Sequence, residues 1–248
     1  MNYKLEICAD SVESSIIAQI AGADRIELCD SLQEGGTTPG YGCIVSARKN
    51  LDIRLHVLIR PRGSDFLYSD VELDIMMRDI EMCGETGVDG VVTGILRPGG
   101  TIDIERTAKL VELAHPMTVT FHRAFDMCRD PEQALEDIIA TGASRVLTSG
   151  QKNSAEEGMT LIKQLVIQAG KRIIIMAGGG INEQNLASIL ANTNVSEIHL
   201  TGRKTIESAM LFRQKDISLG GNPEFPEYSR KMADPEKIKK IVNILKQF

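Results

Sequence analysis

Tryptophan is absent, and the aromatic residues are four tyrosines and six phenylalanines among 248 residues. That is too few to build the stacking platforms that single-stranded nucleic acid needs. Positive charge is also short. Lys and Arg total 28 against 34 Asp and Glu, a net charge of −6, which argues against nucleic acid as a partner. No apolar run approaches the roughly 18 residues of a membrane span, and the opening Met1-Asn2-Tyr3-Lys4-Leu5-Glu6 has no signal-peptide core. No C-x-x-C spacing occurs, so a zinc ribbon and a thioredoxin-like motif are both excluded. The five cysteines, Cys8, Cys29, Cys43, Cys83 and Cys128, are an odd number and are expected as reduced thiols. The expectation is a cytoplasmic protein with no membrane partner.

What is present is a repeat. Short β-rich runs begin near Leu5, Ile26, Leu55, Val91, Met117, Val146, Ile173 and Ile198. Each interval is about the length of one strand-helix unit. Between them lie helical patterns, such as Val71 to Cys83 and the stretch after Asp130-Pro131, where Asp130 reads as an N-cap. Gly22, Gly87 and Gly142 each stand where a helix closes and a strand follows. Eight such units in about 250 residues predict an α/β fold, a TIM (β/α)8 barrel, as a single domain over residues 1–248. An open doubly wound sheet is the rival, but it usually has fewer units and a Gly-rich first turn, which Ile7-Cys8-Ala9-Asp10-Ser11 lacks. An irregular loop is expected at about 214–233, before a C-terminal helix carrying Ile238, Ile241, Val242 and Leu245.

Alternation along barrel strands sends one parity to the surrounding helices and the other to the lumen. With Leu5, Ile7, Ile26, Leu28, Leu55, Val57, Val119, Phe121, Ile198 and Leu200 outward, the inward set becomes polar. It contains Glu6, Cys8, Glu27, Cys29, His56, Arg60, His122, Glu197 and His199. A barrel interior is ordinarily layered with Val, Ile and Leu. Buried charges are costly unless paired, so this set is expected to form a network or a ligand site. Glu27, His56 and His122 are the acid-base candidates.

The loops after the strands add donors. Arg60-Pro61-Arg62 presents two guanidinium forks suited to a carboxylate or phosphate, though Asp65 is a possible intramolecular partner for either. Arg123 and Ser149 follow the next strand ends, and Gly178-Gly179-Gly180 with Arg203-Lys204 resembles a barrel phosphate cradle. The anion-binding candidates are therefore Arg60, Arg62, Arg123, Ser149, Gly178, Gly179 and Gly180. Cys8 and Cys29 lie in matching Glu-[Ile/Leu]-Cys triplets on adjacent strands. Two thiolates, with a thioether such as Met176 nearby, suit a soft ion such as Cu(I), whereas ordinary buried cysteines act as small hydrophobes.

These residues carry a resemblance. Glu6-Ile7-Cys8, Gly22-Ala23-Asp24-Arg25-Ile26-Glu27-Leu28-Cys29, Glu34-Gly35-Gly36-Thr37-Thr38-Pro39, Ile59-Arg60-Pro61-Arg62-Gly63, Thr120-Phe121-His122-Arg123-Ala124-Phe125-Asp126 and Leu147-Thr148-Ser149-Gly150-Gln151 resemble the CutC family of copper homeostasis proteins. The chain departs from that pattern at Ser64, where members commonly carry Gly, and at Leu200-Thr201. The resemblance implies a TIM barrel, a cytoplasmic homo-oligomer, most simply a homodimer, and copper binding, with Cys8 and Cys29 at the natural Cu(I) positions. Two readings follow: a Cu(I)-binding protein using Cys8 and Cys29, or a metabolic enzyme acting on a small anionic substrate at the barrel mouth.

Overall fold

Each strand has an apolar parity that must be buried, and each following helix has an apolar stripe to cover it. The computed structural model describes residues 3–214, 216–217 and 227–248. The eight strands are β1 (Lys4–Ala9), β2 (Arg25–Leu28), β3 (Arg54–Leu58), β4 (Gly90–Thr93), β5 (Thr118–Phe121), β6 (Arg145–Thr148), β7 (Ile174–Gly178) and β8 (Glu197–Leu200). They close into a parallel barrel in sequence order. Closure is made by β1 against β8, where Glu6 faces His199 in register. The TIM-barrel expectation holds, and each strand begins within one residue of its predicted start.

The covering helices are α1 (Val12–Ala21), α2 (Tyr41–Asn50), α3 (Asp70–Thr86), α4 (Ile104–Ala114), α5 (Pro131–Ala140), α6 (Met159–Ala169), α7 (Leu186–Thr193) and α8 (Pro235–Leu245). Their ends follow local chemistry. Asp130 accepts the Gln133 N–H ahead of Pro131, and Ser69 and Glu72 form a reciprocal capping box on α3. Gly22 closes α1 at φ +104, a backbone conformation that side chains disfavour. No helix among the described residues is long and apolar enough to cross a membrane.

Between barrel and helices lies the main core, which takes in Ile7, Ile26, Val57, Phe121 and Ile198. Cys8, Cys29, Leu58 and Val92 form a separate cluster inside the lumen. This separation is the alternation of strand faces made visible. The lumen is layered. Glu6, Arg25, His56, Arg145, Met176 and Glu197 make the deeper layer. Two residues farther along the same strands come Cys8, Glu27, Leu58, Leu147, Gly178 and His199.

One expectation needs correction. The segment drawn as an irregular loop, 214–233, contains a strand at its end. β10 (Ser229–Ala233) pairs antiparallel with β9 (Arg203–Glu207), Met232 opposite Lys204. Both strands are largely polar and only Ala233 is buried, so no apolar alternation announced them. Residues 215 and 218–226 of that segment lie outside the described residues.

Candidate functional site

The deep layer is a charge network. Arg25 stands between two carboxylates, its Nε donating to Glu6 and its terminal nitrogen to Glu197. Arg145 Nε donates to Glu197 Oε2 at 2.9 Å. All four side chains are buried. Burial alone would raise the Glu6 carboxyl, but Arg25 and His199 overcome it and hold the group well below its ordinary value. Met176 belongs to this layer, its sulfur accepting from Arg25 at 3.3 Å. The expectation of a thioether beside the cysteines is therefore corrected: Met176 is turned toward the guanidinium below them.

Above the network, β1, β2 and β8 bring four groups together. Cys8 Sγ lies 3.5 Å from Cys29 Sγ. Donor atoms of Cys8, Glu27 and His199 all lie within 4.8 Å of one another. His199 Nδ1 lies 2.7 Å from Glu6 Oε1, while its Nε2 faces Glu27 Oε2 at 3.6 Å. A carboxylate holding one ring nitrogen orients the other toward a ligand, the usual arrangement behind metal-bound histidine. Hydrogen bonding to Cys29, burial and the Glu27 charge push the Cys8 thiol well above its ordinary value. Burial opposes protonation of His199, but Glu27, Cys8 and Glu6 raise it well above 6.5. Burial also raises Glu27. Without a ligand, the arc is proton-rich.

These groups open into a cavity of about 260 Å³ at the C-terminal end of the barrel, lined also by Arg60, Phe66, His122, Arg123, Gly179 and Thr201. His122 accepts the Ala124 N–H at Nδ1, 3.2 Å away, so its single proton sits on Nε2. Burial and the nearby Arg60 lower its pKa to about 3. A neutral ring with its acceptor nitrogen occupied donates a hydrogen bond and does not act as a base. Arg60 clips the loops, donating to the carbonyls of Glu34, Gly36 and Ser64 at 2.7–2.8 Å, and it stacks on Phe66. Arg123 is anchored by Asp126 and Ser149, both at 2.7 Å. Gly179 adopts φ +101, and a Cβ there would meet Ser149 at 3.1 Å and Arg123 at 3.5 Å. That position needs glycine.

Of the predicted site residues, Cys8, Glu27, Arg60, His122, Arg123, Gly179 and Gly180 line the cavity, and Cys29, outside the lining, reaches Cys8 with its sulfur at 3.5 Å. Four others do not. His56 lies in the deep layer, fully buried, packed on Gly90 and 3.2 Å from Thr118 Oγ1; it is sealed from any substrate. Arg62 spends its fork on Glu72, Asp65 and nearby carbonyls, so the intramolecular alternative holds. Ser149 is buried behind Arg123 and positions it. Gly178 is a strand residue where a Cβ would lie 2.6 Å from Leu147 and 3.2 Å from His199; it permits close packing and cradles nothing. Arg203 and Lys204 are likewise turned away, toward Asp10 and Asp234.

Arg25 and Arg145, central to the network, were not singled out from sequence. Arg25 shares parity with Glu27, which was the available signal; strand six, apolar on both parities, offered none for Arg145. His199 was assigned to the lumen but not to the site.

Two buried imidazoles make stability pH-dependent. His56 and His122 titrate near 6.5 when exposed and near 3 in the fold, chiefly because burial disfavours their charged forms. Below pH 6.5 the unfolded chain takes up protons that the folded chain refuses, so stability falls on acidification, by about 1.4 kcal/mol per pH unit for each histidine. Calorimetry between about pH 7 and pH 5 is expected to show that fall, with His122→Phe removing part of it. A flat profile would contradict the assignment. His199 does not offset the fall, because below 6.5 it is protonated in both states. Glu27, raised by burial, opposes it between its raised pKa and the ordinary carboxylate value, but one carboxyl does not cancel two histidines.

A sequence model described as the CutC family matches residues 3–204. A family protein named CutC from Bacteroides thetaiotaomicron is 48% identical, the match covering 98% of both chains. The human copper homeostasis protein cutC homolog is 46% identical over 98% of this chain and 89% of its own length. Among solved structures, that of CutC from Streptococcus agalactiae superposes with a TM-score of 0.77 at 37% identity, covering 80% of this chain and 98% of that one. Ser64, the position at which the resemblance expects Gly, takes φ +70, the left-handed conformation that glycine serves best. With the family model spanning most of the barrel and relatives matching nearly end to end, this chain belongs to the CutC family.

Proposed function

We propose that this protein takes part in copper homeostasis by binding Cu(I) as cargo through the Cys8 and Cys29 thiolates, with His199 as the third donor. One observation carries the reading: the 3.5 Å sulfur pair beside an imidazole and a carboxylate, in a buried arc open to one cavity. Thiolates select soft ions, and a neutral imidazole completes such a set, whereas hard ions prefer oxygen ligands. The copper in the names of the human and other CutC proteins supports Cu(I) over other thiophilic ions.

Binding must displace protons, because Cys8, Cys29 and His199 all hold theirs tightly before the ion arrives. Affinity is therefore expected to rise with pH, by up to about tenfold per pH unit for each proton displaced. Anaerobic competition against a Cu(I) chelator at pH 6, 7 and 8 measures this. A pH-independent affinity, or binding no tighter than that of a chain lacking both thiols, would contradict the proposal.

A further inference from the structure

We infer that the same cavity holds a second binding subsite, for a small organic anion, on the side opposite the cysteines. The closed strand order places β8, β1 and β2, with the sulfur, carboxylate and imidazole donors, on one arc. The remaining arc presents hydrogen-bond donors. Arg60 Nε and His122 Nε2 are both buried without a partner, and both residues line the cavity. Arginine has no acceptor, and the His122 acceptor nitrogen is occupied by the Ala124 N–H. Each orphan is therefore an N–H, and each calls for an acceptor. Buried donors in native proteins are rarely left unmet, so two on residues that line one cavity point to a ligand group there. Arg123, whose Nε and one terminal nitrogen are held by Asp126 and Ser149, brings a fixed positive charge to the same wall.

The ligand class follows from this wall. A neutral imidazole donor and two guanidinium cations ask for a carboxylate or a phosphate monoester, the anions that arginine recognises. Leu58, Phe66 and Leu147 line the rest and fit a short carbon body. A cavity of about 260 Å³ lies just below the range for drug-sized ligands, so the occupant has the size of a central metabolite. This subsite uses none of the Cu(I) donors, and it stands or falls separately from them.

Isothermal titration of the full chain with succinate and with glycerol 3-phosphate, at ionic strength matched with sodium chloride, separates the two anion chemistries. One of them is expected to bind at one per chain. Arg123→Gln and His122→Phe are each expected to weaken it by at least about tenfold, with Arg123→Lys recovering part of the loss. Cu(I) affinity of Arg123→Gln is expected to match wild type. Thermal midpoints with and without each anion provide a second readout, and only the binding anion is expected to raise that of wild type. No heat and no midpoint shift from either probe, or unaltered affinity in both donor variants, would overturn the inference while leaving the Cu(I) reading intact.

Discussion

Replacing Arg25 by Met is expected to cost about 3–5 kcal/mol of folding stability, a fall in thermal midpoint of roughly 6–20 °C for a chain of this size. Arg25 lies between Glu6 and Glu197, and all three side chains are buried. Methionine fills much of the volume but leaves carboxylates behind. Glu197 retains Arg145 at 2.9 Å. Among the described residues, Glu6 retains only His199 at 2.7 Å and His56 at 3.8 Å. Removing one member of a buried pair leaves its partner desolvated without compensation, which is why the loss exceeds that of a surface ion pair several-fold. A compensating Glu6→Gln in the same chain is expected to recover part of the loss, a coupling that a double-mutant cycle measures. A change below about 0.5 kcal/mol in Arg25→Met, the scale of an ordinary surface substitution, would show that the network is solvated and that the layered lumen is wrong.

The second large effect concerns the ion. Cys8→Ser and Cys29→Ser, singly, are each expected to weaken Cu(I) binding by at least about 100-fold, beyond the 10- to 100-fold typical of losing a hydrogen-bond partner behind a ligand. Serine keeps the size and a weak polar atom but removes the soft donor on which Cu(I) selectivity depends. His199→Gln is expected to do less, since two thiolates remain. Both cysteines are buried within a small lumen cluster, so each variant's thermal midpoint must be measured beside its affinity. Lost affinity with a preserved midpoint is the signature of a ligand. Equal Cu(I) affinity in wild type and both serine variants would remove the thiol site.

How much of this was readable in the residues differs by layer. The barrel was, because each strand must show apolar side chains to its helices, and runs such as Leu55, Val57 and Ile59 do so without interruption. The same parity placed Cys8, Glu27, His122 and His199 inside, where the structure has them buried. Arg25 and Arg145 escaped notice because each opens a four-residue strand just after a turn, where arginine reads as a solvated loop residue. Long side chains at strand ends were the least readable group. Nothing local says that Glu72 takes Arg62, Asp10 takes Arg203 and Asp234 takes Lys204, because those carboxylates arrive from elsewhere in the chain. The β9–β10 pairing was hidden for a related reason: its two polar strands are joined across more than twenty residues and bury little.

X-ray absorption at the copper edge of the anaerobically Cu(I)-loaded protein tests the central claim most directly. The expected spectrum has two sulfur scatterers and one imidazole nitrogen around the ion, with the sulfur contribution lost when Cys8 and Cys29 are both serine. A spectrum built only from nitrogen and oxygen, or one that survives the double substitution unaltered, would contradict a copper site on the β8–β1–β2 arc.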